Sequence, residues 1–247
     1  MFSSNIFRST LPALFAGEQP PMTLQVALLG CNGVVLAGDR LGVSLPTVNN
    51  VVDTASLCSK IETGKQFVCT AAGDDCARCI GQNLADGVLK SGVIFSDSSA
   101  FIKAVNDLLD EHKIDWFCKS SQSRKIIWGQ TDGQKLMIWS ATYDSDRFIL
   151  GENESWIVAG HQGNPARYWI DHYYRQNNGQ KKSTDGLKKL AAHMIITGGI
   201  LNPAGIEGLE MVVGTASGGF EKIKPTEIDN LRKISEGIHK ANIQLFQ

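Results

Sequence analysis

Three groups of residues in this chain have side chains whose types and spacing could do chemistry. Thr23 opens an apolar run, Asp39 closes the next one, and Lys60 and Gly73 follow. A threonine hydroxyl is a weak nucleophile at its own pKa and attacks a carbonyl only after a nearby base takes its proton. A lysine beside it would hold positive charge against the developing alkoxide, and a carboxylate would anchor that lysine. Taken singly, Thr23 is equally an ordinary strand residue, and Asp39 and Lys60 equally a solvated pair at strand ends. The second group, Cys76-Ala-Arg-Cys79, has the bare spacing of a redox or metal motif. It is a lone pair without a second pair or a histidine at ligand spacing, so both thiols are expected to be structural, with no metal and no other cofactor. The third is His161 beside Gly160, whose charge can switch near neutral pH. It is either a polar helper near a nucleophile or a structural or exposed histidine.

The composition narrows the classes of function. The 247 residues are 43% hydrophobic and 20% charged, enough for a sizeable core and unlike a disordered chain. Lys plus Arg number 24 against 25 Asp plus Glu, so the net charge of −1 provides no electrostatic footprint for nucleic acid or an acidic membrane surface. Six cysteines in a chain this long, without a recognisable signal peptide, read as free thiols in a reducing, cytoplasmic setting. No apolar stretch approaches the ~18 residues of a transmembrane helix.

The elements that must position these residues follow from periodicity and punctuation. Pro20-Pro21 separates an extension, residues 1–22, from one domain over residues 23–247. Thr23–Leu29 and Val34–Ala37 flank Gly30-Cys31-Asn32-Gly33, a hairpin signal. Gln66–Ala72 reads as a strand ending at Gly73-Asp74-Asp75. Apolar residues at helical spacing follow from Asp75 to Leu89 and around Phe101–Leu109. Lys125–Trp128 and Leu136–Trp139 flank another turn, Thr131-Asp132-Gly133-Gln134, and Trp156–Ala159 is a further strand. Helices are expected at Asn164–Arg175, from a Ser183-Thr184-Asp185 cap to about Thr197, and over Pro225–Leu245, with a strand pair, Leu209–Val213 and Phe220–Ile223, before the last. The tryptophans are expected in the core or at contacts between subunits, not as a ligand cage. Blocks of strands and helices, rather than strict alternation, predict an α+β fold: a four-layer αββα sandwich of two antiparallel sheets flanked by helices.

The segment from Thr23 through the glycine-turned hairpin to Asp39-Arg40 resembles the opening of proteasome β-type subunits and of the HslV peptidase, members of the N-terminal nucleophile hydrolases. Lys60-Ile61, Ala71-Ala72-Gly73, Ala159-Gly160 and Thr197-Gly198-Gly199 extend the resemblance along the chain. It implies a threonine-type endopeptidase in which Thr23 is nucleophile and, through its α-amino group, base. Lys60 would be its activator, Asp39 the lysine's partner and Gly73 the oxyanion donor. His161 and Thr197 occupy the helper positions, where the family usually has serines, and Met194 stands where it usually has aspartate. Lys65 is the alternative to Lys60. The same resemblance assigns substrate contacts to Gly42, Cys58, Ala71 and Asp75, whose small size suggests a roomy pocket with an acidic floor. It further implies stacked rings of identical or homologous subunits, unfolded polypeptide as substrate and an ATPase unfoldase as partner. Met22, not glycine, precedes Thr23, so the nucleophile is exposed by removal of residues 1–22 or by a start at Met22 that is then trimmed. If the extension is retained, the alternative is a non-catalytic ring-forming subunit. A third reading is an amide hydrolase of the same fold acting on a small substrate.

Overall fold

A computed structural model of the chain describes residues 23–44, 54–73, 75–112, 124–151, 155–160, 166–203 and 205–244. The opening hairpin pairs β1 (Leu24–Leu29) with β2 (Val34–Gly38), in the register Gln25 with Gly38 and Leu29 with Val34. Both strands read as nearly continuous apolar runs because both of their faces are covered. Leu24, Val26 and Leu28 point to one layer of helices, whereas Ala27, Val34 and Leu36 point to the opposite sheet. In the turn, the Gly30 amide donates to the Gly33 carbonyl at 2.7 Å, and the Asn32 side chain accepts from the Thr184 amide at 2.9 Å. Asn32 therefore also helps to cap a helix distant in sequence.

Two five-stranded antiparallel sheets form around that hairpin. The first has the order β10-β1-β2-β11-β12, adding β10 (Trp156–Gly160), β11 (Glu210–Thr215) and β12 (Gly219–Lys222). The second has the order β5-β6-β7-β8-β9: Ile61–Thr63, Phe67–Ala72, Lys125–Thr131, Leu136–Asp144 and Arg147–Leu150. A separate pair, β3 (Leu41–Ser44) and β4 (Thr54–Leu57), stands beside them. Between the sheets, Ala27, Leu36, Val68, Ile127, Ile157 and Val212 form the central core. Helices α1 (Asp75–Ser91) and α2 (Ser98–His112) cover the second sheet, where buried Trp128 stacks on Phe67 with ring centres 4.9 Å apart. The first sheet is covered by α3 (Ala166–Trp169), which passes into π-helical Ile170–Arg175, and by α4 (Thr184–Leu201) and α5 (Pro225–Gln244). The architecture is the expected αββα sandwich, an α+β fold.

Several local readings change. β3, β4, β5 and β9 are strands that periodicity did not mark, being only three or four residues long. Ser183 caps α4 as expected, its hydroxyl accepting from the Gly186 amide at 3.4 Å. Thr197-Gly198-Gly199, where the helix was expected to end, lies inside α4, which continues to Leu201. Cys76 is buried and Cys79 half-buried on α1. Cys118 and Trp116 lie outside the described residues. Among the described residues, no three histidine, cysteine or acidic side chains group as a metal site, and no helix is long and apolar enough to cross a membrane.

Candidate active site

The register of the hairpin places the site. Pairing Gln25 with Gly38 leaves Leu24 facing Asp39 across the open end of the two strands. There the Asp39 carboxylate accepts from the Leu24 amide at 2.8 Å and from the Leu41 amide at 3.1 Å. Its side chain is fully buried. Such a carboxylate needs a cation, and Lys60 supplies it: Nζ lies 2.7 Å from Oδ2, with 11% of the lysine side chain exposed. Burial raises the Asp39 pKa above the ordinary carboxylate value, and Lys60 with the two amides pulls it back part of the way.

The same Nζ donates to Thr23 Oγ1 at 3.1 Å. Thr23, Asp39 and Lys60 thus form one chain of contacts, joining the ends of two strands of the first sheet to the residue that precedes β5 of the second. Lys65, the alternative, is exposed at the β5–β6 turn. Because Lys60 donates to the hydroxyl oxygen, the hydroxyl's own proton remains available for a separate base.

Two glycines with positive φ stand at the ends of β10 and β6. Gly160, opposite Leu24 in the β1–β10 ladder, has φ +117°, and a Cβ there would lie 1.6 Å from the Thr23 carbonyl oxygen. No other residue fits so close to that backbone. Gly73 leaves β6 with φ +120°, just before α1. The end of β6 is tied across the sheets to the start of β1 by the buried Gln25, whose amide donates to the Ala71 carbonyl at 2.9 Å.

Not every expected residue gathers here. His161 lies outside the described residues, as does the side chain of Asp75, the first residue of α1. Gly42 pairs with Ser56 in the β3–β4 arm, and the Cys58 amide donates to the Arg40 carbonyl at 2.8 Å. Ala71 lines a pocket beside Lys60 that is bounded by the long side chains Glu62 and Arg78 and holds only about 20 Å³. Of the other expected substrate contacts, neither Gly42 nor Cys58 lines this pocket. Thr197 Oγ1 lies 3.1 Å from His239 Nε2 on α5. Next to it, buried His193 has Nδ1 2.7 Å from Ser235 Oγ and an edge-to-face contact with Trp169. Burial, together with His239, pushes the His193 pKa down to about 4. Thr197 thus belongs to the α4–α5 packing layer.

Sequence reasoning missed the groups that hold Lys60 in place. Glu210, the first residue of β11, pairs with Gly38 in the ladder and so lies one residue from Asp39. Its carboxylate accepts from the Lys60 amide and, at 2.8 Å, from the Ser59 hydroxyl. The Thr70 hydroxyl donates to the Lys60 carbonyl at 2.8 Å. Burial raises the Glu210 pKa, opposed by these bonds and by Lys222 and Arg40. An acid opening the otherwise apolar segment Met211-Val212-Val213 was the one available signal.

No family model and no curated protein matches the chain. Solved structures do. A Gly-1 mutant of Anbu from Hyphomicrobium sp. strain MC1 is 16% identical with a TM-score of 0.66, covering 91% of this chain and 96% of that one. Anbu from the same strain is 17% identical, TM-score 0.64, with 90% and 96% covered. Anbu from Yersinia bercovieri, described as an ancestral beta-subunit, is 14% identical, TM-score 0.66, again with 90% and 96% covered. These findings correct the resemblance to proteasome β-type and HslV subunits: the structural neighbours are Anbu proteins, and no likeness at the level of sequence supports a branch. The reason is geometric, since any chain with this hairpin register brings residue 39 against residue 24, so the threonine-to-aspartate spacing reports the fold and not the family. What the likeness establishes is the fold alone, an αββα sandwich shared with these Anbu structures.

Proposed function

We propose that this chain is a subunit of a self-assembling peptidase in which Thr23, made N-terminal by loss of residues 1–22, attacks peptide bonds. The observation that carries the reading is the Lys60 ammonium, paired with buried Asp39 and donating to Thr23 Oγ1. That donor stabilises an alkoxide but takes no proton from the hydroxyl. The base is the α-amino group of Thr23 itself, with a reference pKa near ~8. The proton passes from Oγ1 to that amine as Oγ1 bonds the substrate carbonyl carbon. The oxyanion is met by the Gly73 amide, a type of donor worth about 2.7–4 kcal/mol in amide hydrolysis. The amine then gives its proton to the leaving nitrogen as the peptide C–N bond breaks, and water cleaves the resulting ester.

Assembly with copies of the same chain into a ring that encloses the sites is the finer part of the proposal, supported by the description of the Yersinia protein as a beta-subunit. Thr23→Ala tests the chemistry. It should abolish peptide hydrolysis without altering assembly measured by sizing, and undiminished hydrolysis would overturn the reading.

A further inference from the structure

Lys60 can serve Thr23 only if its backbone holds still, and it sits just before β5, a strand of three residues. A lysine side chain has several rotatable bonds and considerable rotamer entropy, so one that must meet both Thr23 and Asp39 depends on where its main chain is fixed. β5 by itself fixes little. The Lys60 carbonyl accepts from Thr70 on β6, within the same sheet. Its amide is held from the other sheet, by Glu210.

We propose that Glu210 is the positioning residue for Lys60: its carboxylate crosses between the sheets and fixes residues 59 and 60, so that Nζ reaches Thr23 Oγ1 and Asp39 Oδ2 together. The inference rests on the reading of Thr23 as nucleophile only for its kinetic consequence. The geometry is specific. One carboxylate oxygen takes the Lys60 amide and the other takes the Ser59 hydroxyl at 2.8 Å, two adjacent donors on one planar acceptor. Ser59 Oγ in turn accepts from Lys222 Nζ at 2.9 Å, which ties the loop to β12. Glu210 reaches this loop because the β2–β11 ladder sets it beside Gly38, the neighbour of Asp39. The ladder that places the carboxylate partner of Lys60 therefore also places the anchor of its backbone. Lys222 and Arg40 face the Glu210 carboxylate and oppose the cost of its burial.

The test uses the assembled protein with Glu210→Ala and Glu210→Gln. In Glu210→Ala the Lys60 amide loses its acceptor, and the expected result is a fall in kcat of about tenfold to a hundredfold with KM little changed. Glu210→Gln keeps an amide oxygen for the Lys60 N–H and should restore kcat to within about fivefold of the parent. A substitution that merely loosened the fold would not be rescued in this way. Crystal structures of both variants supply a readout that needs no turnover: Lys60 Nζ should leave Thr23 Oγ1 in the alanine variant and remain against it in the glutamine variant. Lys60 unmoved in Glu210→Ala would overturn the inference whatever the rates. If Thr23→Ala still hydrolyses peptide, the nucleophile assignment falls, whereas the position of Lys60 in Glu210→Ala still decides the role of Glu210.

Discussion

Among the described residues, the polar cluster at the open end of the hairpin and the one between α4 and α5 differ in what they present to solvent. The first, Thr23-Asp39-Lys60, contains a full ion pair, joins strand ends from both sheets, and keeps Thr23 half-buried and Lys60 partly open to solvent. The second, His193-Ser235-His239-Thr197, is formed between α4 and α5, with His193 only 4% and Ser235 only 1% exposed. Both cost free energy to bury, yet only the first presents a charge to a hydroxyl that a substrate could reach. The second is a hydrogen-bonded layer between two helices, where a hydroxyl and an imidazole 2.7 Å apart have no such access. A serine–histidine contact is thus no evidence of catalysis without access, and a lysine–aspartate pair gains meaning from the hydroxyl beside it.

Substitutions can break this contrast, and the largest effect is expected at Lys60. Lys60→Ala should lower peptide hydrolysis by about a thousandfold. It should also destabilise the fold by about 3 kcal/mol in a denaturant titration, because Asp39 is left buried without its cation. The double variant Lys60→Met with Asp39→Leu should recover part of that stability, the Leu24 and Leu41 amides being left without their acceptor, and none of the activity. No recovery of stability would mean that the loss in Lys60→Ala does not come from the unpaired Asp39 charge. Gly160→Ala comes next. Its Cβ would collide with the Thr23 carbonyl, and under the proposed role of Thr23 a displacement of about 1 Å should cost about a hundredfold in kcat. Full activity in Gly160→Ala would show that the Thr23 backbone has freedom this geometry denies.

The α4–α5 cluster should respond to acid and not to substrate. With its pKa held at about 4 against an ordinary value of 6.5, His193 in the folded chain takes up no proton between these values while the unfolded chain does. Stability is then complete above pH 6.5 and declines toward pH 4, by at most about 3 kcal/mol, measurable as Tm against pH. His193→Met should remove most of that decline. Its peptide hydrolysis at neutral pH should stay within about twofold of the parent, the smallest effect here, and a tenfold loss would draw the second cluster into the chemistry.

The opening hairpin was legible because Asn32-Gly33 and the apolar runs around it are local signals, and the paired helices because apolar residues recur at helical spacing. Thr197-Gly198-Gly199 misled for a physical reason. Two glycines suggest a break, but Gly198 allows α4 to approach closely, since a Cβ there would lie 2.7 Å from Leu24 Cδ2. Tertiary packing overrode local propensity. Thr23, Asp39, Lys60 and Gly73 could be singled out together because each flanks an early strand, within a segment whose spacing carried the resemblance. Glu210 could not, because it is 150 residues from Lys60 and meets it only through the β2–β11 ladder. The β3–β4 arm, short and without a periodic pattern, gave no hint that Gly42 and Cys58 belong to it or next to it.

The central claim is that the Thr23 hydroxyl works with its own amine, and this requires the bond before Thr23 to be cut. Intact-mass measurement with N-terminal sequencing of the fraction that hydrolyses peptide tests it most directly. Chains in that fraction should begin at Thr23, and chains that retain residues 1–22 should show no hydrolysis. Peptide hydrolysis by a chain still beginning at Met1 would contradict it.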